Sequence, residues 1–332
     1  MSGGARATDF DPEETVGRHV HGAPVHERHH LHGVRTWEPQ TAVDRLLVDV
    51  YAALHSNVRV LAFAALTLVL LANVSVGLVG LYVNPVVGAF TLASVLPAAF
   101  VAFYVWDSDP LGRQSAFLVA ATFGLGIVVV GFAYILNTWA LPYFEALPAF
   151  GLALFFLLFV APLEETLKLL AVYVYPMESE FFGTAIDGAV FGAFAGLGFA
   201  TAENAFYIVS GGFFGPTGVY ETIVGRAGVA PAHVLWSSIA GYYLGLARLN
   251  PAYAGAIVFK GLLLAVGLHG VYNVGVSYLP ATAEALDISG SASNQLLTLG
   301  FLLVFYATVW ITLERLIARY RRVEKEYALL DG

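Results

Sequence analysis

Hydrophobic residues run along this chain in long, unbroken blocks. They show neither the alternation of a half-buried strand nor the one-sided stripe of a surface helix. Eight stretches are long and apolar enough for a membrane helix: 58–83, 86–106, 114–137, 147–175, 184–209, 227–247, 252–279 and 293–317. A bilayer span needs about 20 such residues, because every backbone amide must find its partner inside the segment. Asn84-Pro85 is a turn signal that divides the first two. The first block starts too deep in the chain and runs too long to be a cleavable signal. The expected fold is an all-α polytopic membrane protein of about eight transmembrane helices.

Composition agrees. Hydrophobic residues are 58% and charged residues 12%, against about a quarter charged in soluble domains. Mean hydropathy is +0.73. A net charge of −8 leaves no basic face for nucleic acid, and the absence of cysteine removes disulfides and thiol chemistry. Arginine and lysine orient the spans. Arg35, Arg45, Arg59, Arg113, Arg248 and the group Arg315, Arg319, Arg321, Arg322 and Lys325 lie on one side; the loops at 138–146 and 280–292 have none, and the 210–226 loop has only Arg226. Both termini are therefore expected in the cytoplasm of a multi-pass cell-membrane protein.

Residues 1–55 form a polar tail holding seven of the nine histidines. Without apolar periodicity most of it reads as disordered, with an amphipathic segment near 42–54 suited to the membrane surface. His26-Glu27-Arg28-His29-His30 matches the zinc-protease pattern H-E-x-x-H, but that chemistry needs a rigid helix and a third ligand. Adventitious metal binding by His19, His21, His26, His29, His30 and His32 is the plainer reading of such a tail. Residues 56–137 hold spans one to three. Residues 293–332 hold the last span and a helical extension from Glu314.

Ionisable groups inside the apolar blocks are costly, and each marks a functional hypothesis. They concentrate in spans four to seven, residues 146–279. Span four carries Glu164, Glu165 and Lys168, three and four residues apart, so either glutamate can pair with the lysine. Adjacent glutamates point about 100° apart, so one faces a site while the other holds Lys168. Pro162 can kink the helix before them. Span five carries Gly188, Gly192 and Gly196, a stripe for close helix packing, then Glu203 and Asn204, with Tyr207 on the face of Glu203. Glu203 has no basic neighbour on its own helix. Asp187 is expected to meet interface water or Lys260. His233, with Trp236 one turn on, lies in span six; His269, with Tyr272 and Asn273 following, lies in span seven. Glutamates and two lone histidines on four spans suggest a shared catalytic or metal site.

Together these patches resemble the PrsW family of intramembrane proteases, within the superfamily of the CAAX prenyl endopeptidases. The pieces are Glu164-Glu165-x-x-Lys168, Asp187-Gly188 through Glu203-Asn204, His233, and His269-Gly-Val-Tyr-Asn273. Lys168 and Glu203 stand where prenyl endopeptidases usually carry arginine and histidine, which argues against a prenylated substrate. The resemblance implies a membrane (metallo)protease acting on membrane-anchored regulators such as anti-sigma factors. In it Glu164 or Glu165 activates water, Glu203, His233 and His269 complete the site, and Asn273 assists. Asn204, Tyr207, Trp236 and Tyr272 are supporting residues.

Two chemistries are open. In one, Glu203, His233 and His269 hold a divalent metal, zinc by preference, and a glutamate is the base. In the other no metal is present, and the histidines with Asn273 stabilise the oxyanion. One conflict stands out: as drawn, Glu164 lies in the inner leaflet and the other three in the outer, about 10 Å apart along the helix axes. The rival functions are a proton-coupled transporter and a non-catalytic scaffold.

Overall fold

The computed structural model describes residues 41–50, isolated positions from 52 to 82, and residues 85–330 except 110–113, 149, 213–215 and 286–290. The first expected span is described only at isolated helical positions, among them Leu71, Ser75 and Leu78, and the His26–His30 motif lies outside the described residues. The chain divides into two units, Met1–Ala65 and Leu66–Gly332. In the first, residues 42–50 are helical. Thr41 and Asp44 begin that helix by exchanging backbone-to-side-chain hydrogen bonds of 2.8 and 3.0 Å.

In the second unit every regular element among the described residues is a helix. We number them α1 (Pro85–Asp107), α2 (Ala116–Glu145), α3 (Gly151–Phe155), α4 (Ala161–Val174), α5 (Ala185–Gly212), α6 (Pro216–Arg248), α7 (Ala254–Ala285) and α8 (Ser291–Leu330). A π-helical turn, Phe156–Val160, joins α3 to α4. This is an all-α polytopic membrane protein. Five helical segments are long and apolar enough to cross a bilayer: Pro85–Asp107, Ala116–Glu145, Ala185–Val209, Pro251–Leu279 and Gln295–Val323. Expected spans four and six are helices of the same bundle, but polar residues dilute them: Glu164, Glu165 and Lys168 in one, His233, Ser237 and Ser238 in the other.

The centre is α5, whose apolar stretch is 94% buried. It packs against α1, α2, α4 and α6, and along α6 most extensively. The glycine stripe explains that contact. A Cβ on Gly192 would strike the Ser237 carbonyl, and one on Gly196 the His233 carbonyl. Only glycine lets the two backbones come this close. The approach matters for the site, because it sets His233 directly against the turn of α5 that leads to Glu203. Outward-facing Phe100, Phe117, Leu158 and Val304 are exposed, as suits a lipid-facing surface. The far end of α8 is tied back by Arg321, whose guanidinium donates to the Ser108 carbonyl beyond α1.

Two boundaries that bear on the site differ from the sequence expectation. Helix α2 continues past 137 to Glu145, bringing Thr138 and Leu141 onto the site. Helix α6 begins at Pro216 rather than 227, so Arg226, counted as a loop residue, stands inside a helix.

Candidate active site

A cavity of about 510 Å³ opens between α2, the π turn, α4, α5, α6 and α7. Its polar lining includes Asn137, Thr138, Glu164, Glu203, Arg226, His233, His269 and Asn273, and Phe199, Phe206 and Tyr207 lie between them. Four spans were expected to build it; α2 adds a fifth wall.

The adjacent glutamates divide as a helix requires. Glu164 lines the cavity. Glu165 is turned behind it and makes a salt bridge with Lys168, both almost wholly buried. Glu165 Oε1 also lies 2.8 Å from His269 Nδ1, and Ser237 Oγ lies 3.5 Å from Oε2. Lys168 Nζ reaches His233 Nδ1 at 3.1 Å and lies 4.6 Å from the Phe199 ring centroid and 5.4 Å from that of Trp236. An ammonium buried to this degree needs such partners. Since it can only donate, His233 Nδ1 accepts and Nε2 carries the proton toward Glu203 Oε2, 3.0 Å away.

Glu203 finds the partner its own helix lacks in Arg226. The guanidinium bonds Glu203 Oε2, donates from Nε to Asn204 Oδ1 at 2.8 Å, and lies over the Tyr207 ring at 4.7 Å. Asn204, fully buried, donates to Ser94 Oγ at 2.9 Å and so joins α1 to this corner. Sequence reasoning missed Arg226, although its place seven residues, two turns, before His233 puts both on one face. It also missed Asn137, a lone amide at the edge of an apolar run, which donates to Glu164 Oε1 at 2.9 Å.

His269 faces two ways, with Nδ1 on Glu165 and Nε2 toward Glu164 Oε2 at 3.8 Å. Trp236 stacks on its ring and meets the His233 ring edge-on, 4.9 Å between centroids. Tyr272 is buried against Trp236 and Phe305, supporting the stack from behind. Asn273 lines the cavity one turn after His269. The expected axial offset between Glu164 and the histidines is closed. The π turn ends just before Pro162, whose ring and missing N–H disfavour a regular α turn there. That wide turn feeds Glu164 into the cavity at the level of His269. Asp187 does not meet Lys260. Its carboxylate takes the Gly183 and Thr184 amides at 2.9 and 2.7 Å and Gln114 Nε2 at 2.5 Å, closing the start of α5.

Residues 114–311 match the family described as PrsW family intramembrane metalloprotease. Relatives named Protease PrsW include those of Shouchella clausii, 29% identical over 56% of this chain and 82% of theirs, and Bacillus subtilis, 31% identical over 56% and 81%. That of Geobacillus kaustophilus is 30% identical over 54% and 76%. No solved structure matches the chain.

The family description implies a metal. Among the described residues no three His, Asp or Glu side chains gather as a ligand set. Glu203 is held by Arg226 and His233, His269 is held by Glu165, and the Lys168 ammonium stands on the far side of His233. A zinc site would draw its donors to one point. His233 Nε2 lies 3.0 Å from Glu203 Oε2 and the two imidazole rings are 5.3 Å apart between centroids, but the one carboxylate of this trio is already paired with the Arg226 guanidinium, and the trio so arranged does not fit a resident ion.

Proposed function

The chain belongs to the PrsW family of intramembrane proteases, and on that premise we propose that it hydrolyses peptide bonds of membrane-anchored proteins with water activated by Glu164. One observation carries the reading. Glu164 Oε2 is enclosed, has no hydrogen-bond partner, and belongs to a cavity residue whose other oxygen is already held by Asn137. It faces His269 Nε2 across 3.8 Å, too far for a direct bond and within reach of one shared water.

The chemistry follows from the side chains. Glu164 Oε2 takes a proton from the water, and the hydroxyl oxygen bonds to the substrate carbonyl carbon. The Asn273 side-chain amide supplies a donor to the oxyanion, and His269, whose Nδ1–H is given to Glu165, presents an unprotonated Nε2 that accepts from the water. The C–N bond breaks as Glu164 returns its proton to the leaving nitrogen. Glu165 and Lys168 act behind the wall by fixing both imidazoles. The charges suit this assignment: Glu165 pairs with Lys168 and Glu203 with Arg226, so Glu164 alone lacks a Lys or Arg partner and is the base to use. We take the reaction to run without a resident metal. Substrates are membrane-anchored regulators of the anti-sigma-factor class, and both termini face the cytoplasm.

The test is reconstitution in lipid vesicles with single-span peptides and mass spectrometry of the products. Cleavage by wild type and its loss in His269→Ala, with the variant still folded, supports the reading. Proton-coupled flux without any cleavage would instead favour the transporter.

A further inference from the structure

We infer that Asn137 is a substrate-positioning residue that couples the peptide main chain to the base. The inference rests on the hydrolytic reading above. Asn137 comes from α2, outside the helices that bear the glutamates and histidines. Its Nδ2 donates to Glu164 Oε1 at 2.9 Å, while its Oδ1 is enclosed and has no partner. Both residues line the cavity.

The orientation of the amide is dictated. An ionised carboxylate only accepts, so the NH2 end must face Glu164 and the carbonyl end must point elsewhere. Two consequences follow. With Oε1 already accepting, the proton from water goes to Oε2, the oxygen opposite His269. And Oδ1 is left as a buried acceptor, a costly state unless a donor arrives. An extended peptide brings such donors. Its own main-chain N–H groups, removed from water and helix alike, need acceptors inside the membrane. Oδ1 accepts one of them. Recognition at this point reads the main chain and not a side chain, so it is indifferent to sequence and demands an unwound segment.

The experiment uses the full chain in phosphatidylethanolamine–phosphatidylglycerol vesicles and a synthetic single-span peptide. Analogues carry an ester in place of one amide at a time on either side of the scissile bond. Wild type is expected to lose about tenfold in kcat/KM with one of these esters, the effect of one missing hydrogen bond. N137A is expected to be at least tenfold slower with the all-amide peptide, and to be insensitive to that same ester. N137L, similar in size, removes both the donor and the acceptor and is expected to behave as N137A. A purely structural Asn137 would leave the ester effect unchanged in N137A. That result, or wild-type kcat in N137A or N137L, overturns the inference. Wild type cleaving no peptide at all would instead overturn the hydrolytic reading, and this inference with it.

Discussion

Trp236 lies flat on His269, with ring centroids 4.6 Å apart and planes 10° from parallel. Glu165 fixes the same imidazole at Nδ1. The ring is therefore held both in its plane and by one edge, and Nε2 faces Glu164. Trp236→Leu keeps an apolar core residue and removes the plate. We expect kcat to fall about 100-fold, the effect of an ångström-scale misplacement, with little change in KM. Trp236→Phe should restore most of it. Steady-state kinetics in vesicles checks this.

Glu165 and Glu164 are neighbours with opposite roles, and their glutamine variants should separate them. Glu165→Gln strands a buried ammonium on Lys168, which costs about 3–5 kcal/mol. Thermal unfolding in detergent should show a clear drop. Glu164→Gln removes a buried carboxylate that has no cation, so its melting temperature should stay at or above that of wild type.

Much of this was legible in the sequence. The apolar blocks gave the helices, and the rule that charge in a membrane is costly picked out Glu164, Glu165, Lys168, Glu203, His233 and His269, which the bundle brings together. What was not legible had physical causes. Arg226 sits at a helix start that the polar character of 210–226 concealed, and an arginine at a span edge reads as a topology signal before it reads as an ion pair. Asn137 carries no charge and so raised no alarm. The level of Glu164 depended on a π turn, which hydrophobic periodicity does not reveal.

Arg226 neutralises Glu203 in a site with few other partners. Arg226→Gln should destabilise the fold by about 3–5 kcal/mol, mainly through the carboxylate left behind. Arg226→Gln combined with Glu203→Gln should recover most of that loss, which a double-mutant cycle of melting free energies would measure.

The pairing of Glu203 with Arg226 bears on metal dependence. Enzyme dialysed against a strong chelator and assayed in its presence should keep full activity. Loss of cleavage on chelation, with recovery on returning zinc, would contradict the metal-free mechanism.

The most direct test of the central claim, that Glu164 activates the attacking water, is peptide cleavage by wild type and Glu164→Gln side by side in vesicles. Product formation would be followed by mass spectrometry, with melting curves to confirm that both are folded. The expected result is cleavage by wild type and none by a folded Glu164→Gln protein. Cleavage by Glu164→Gln at the wild-type rate would contradict it.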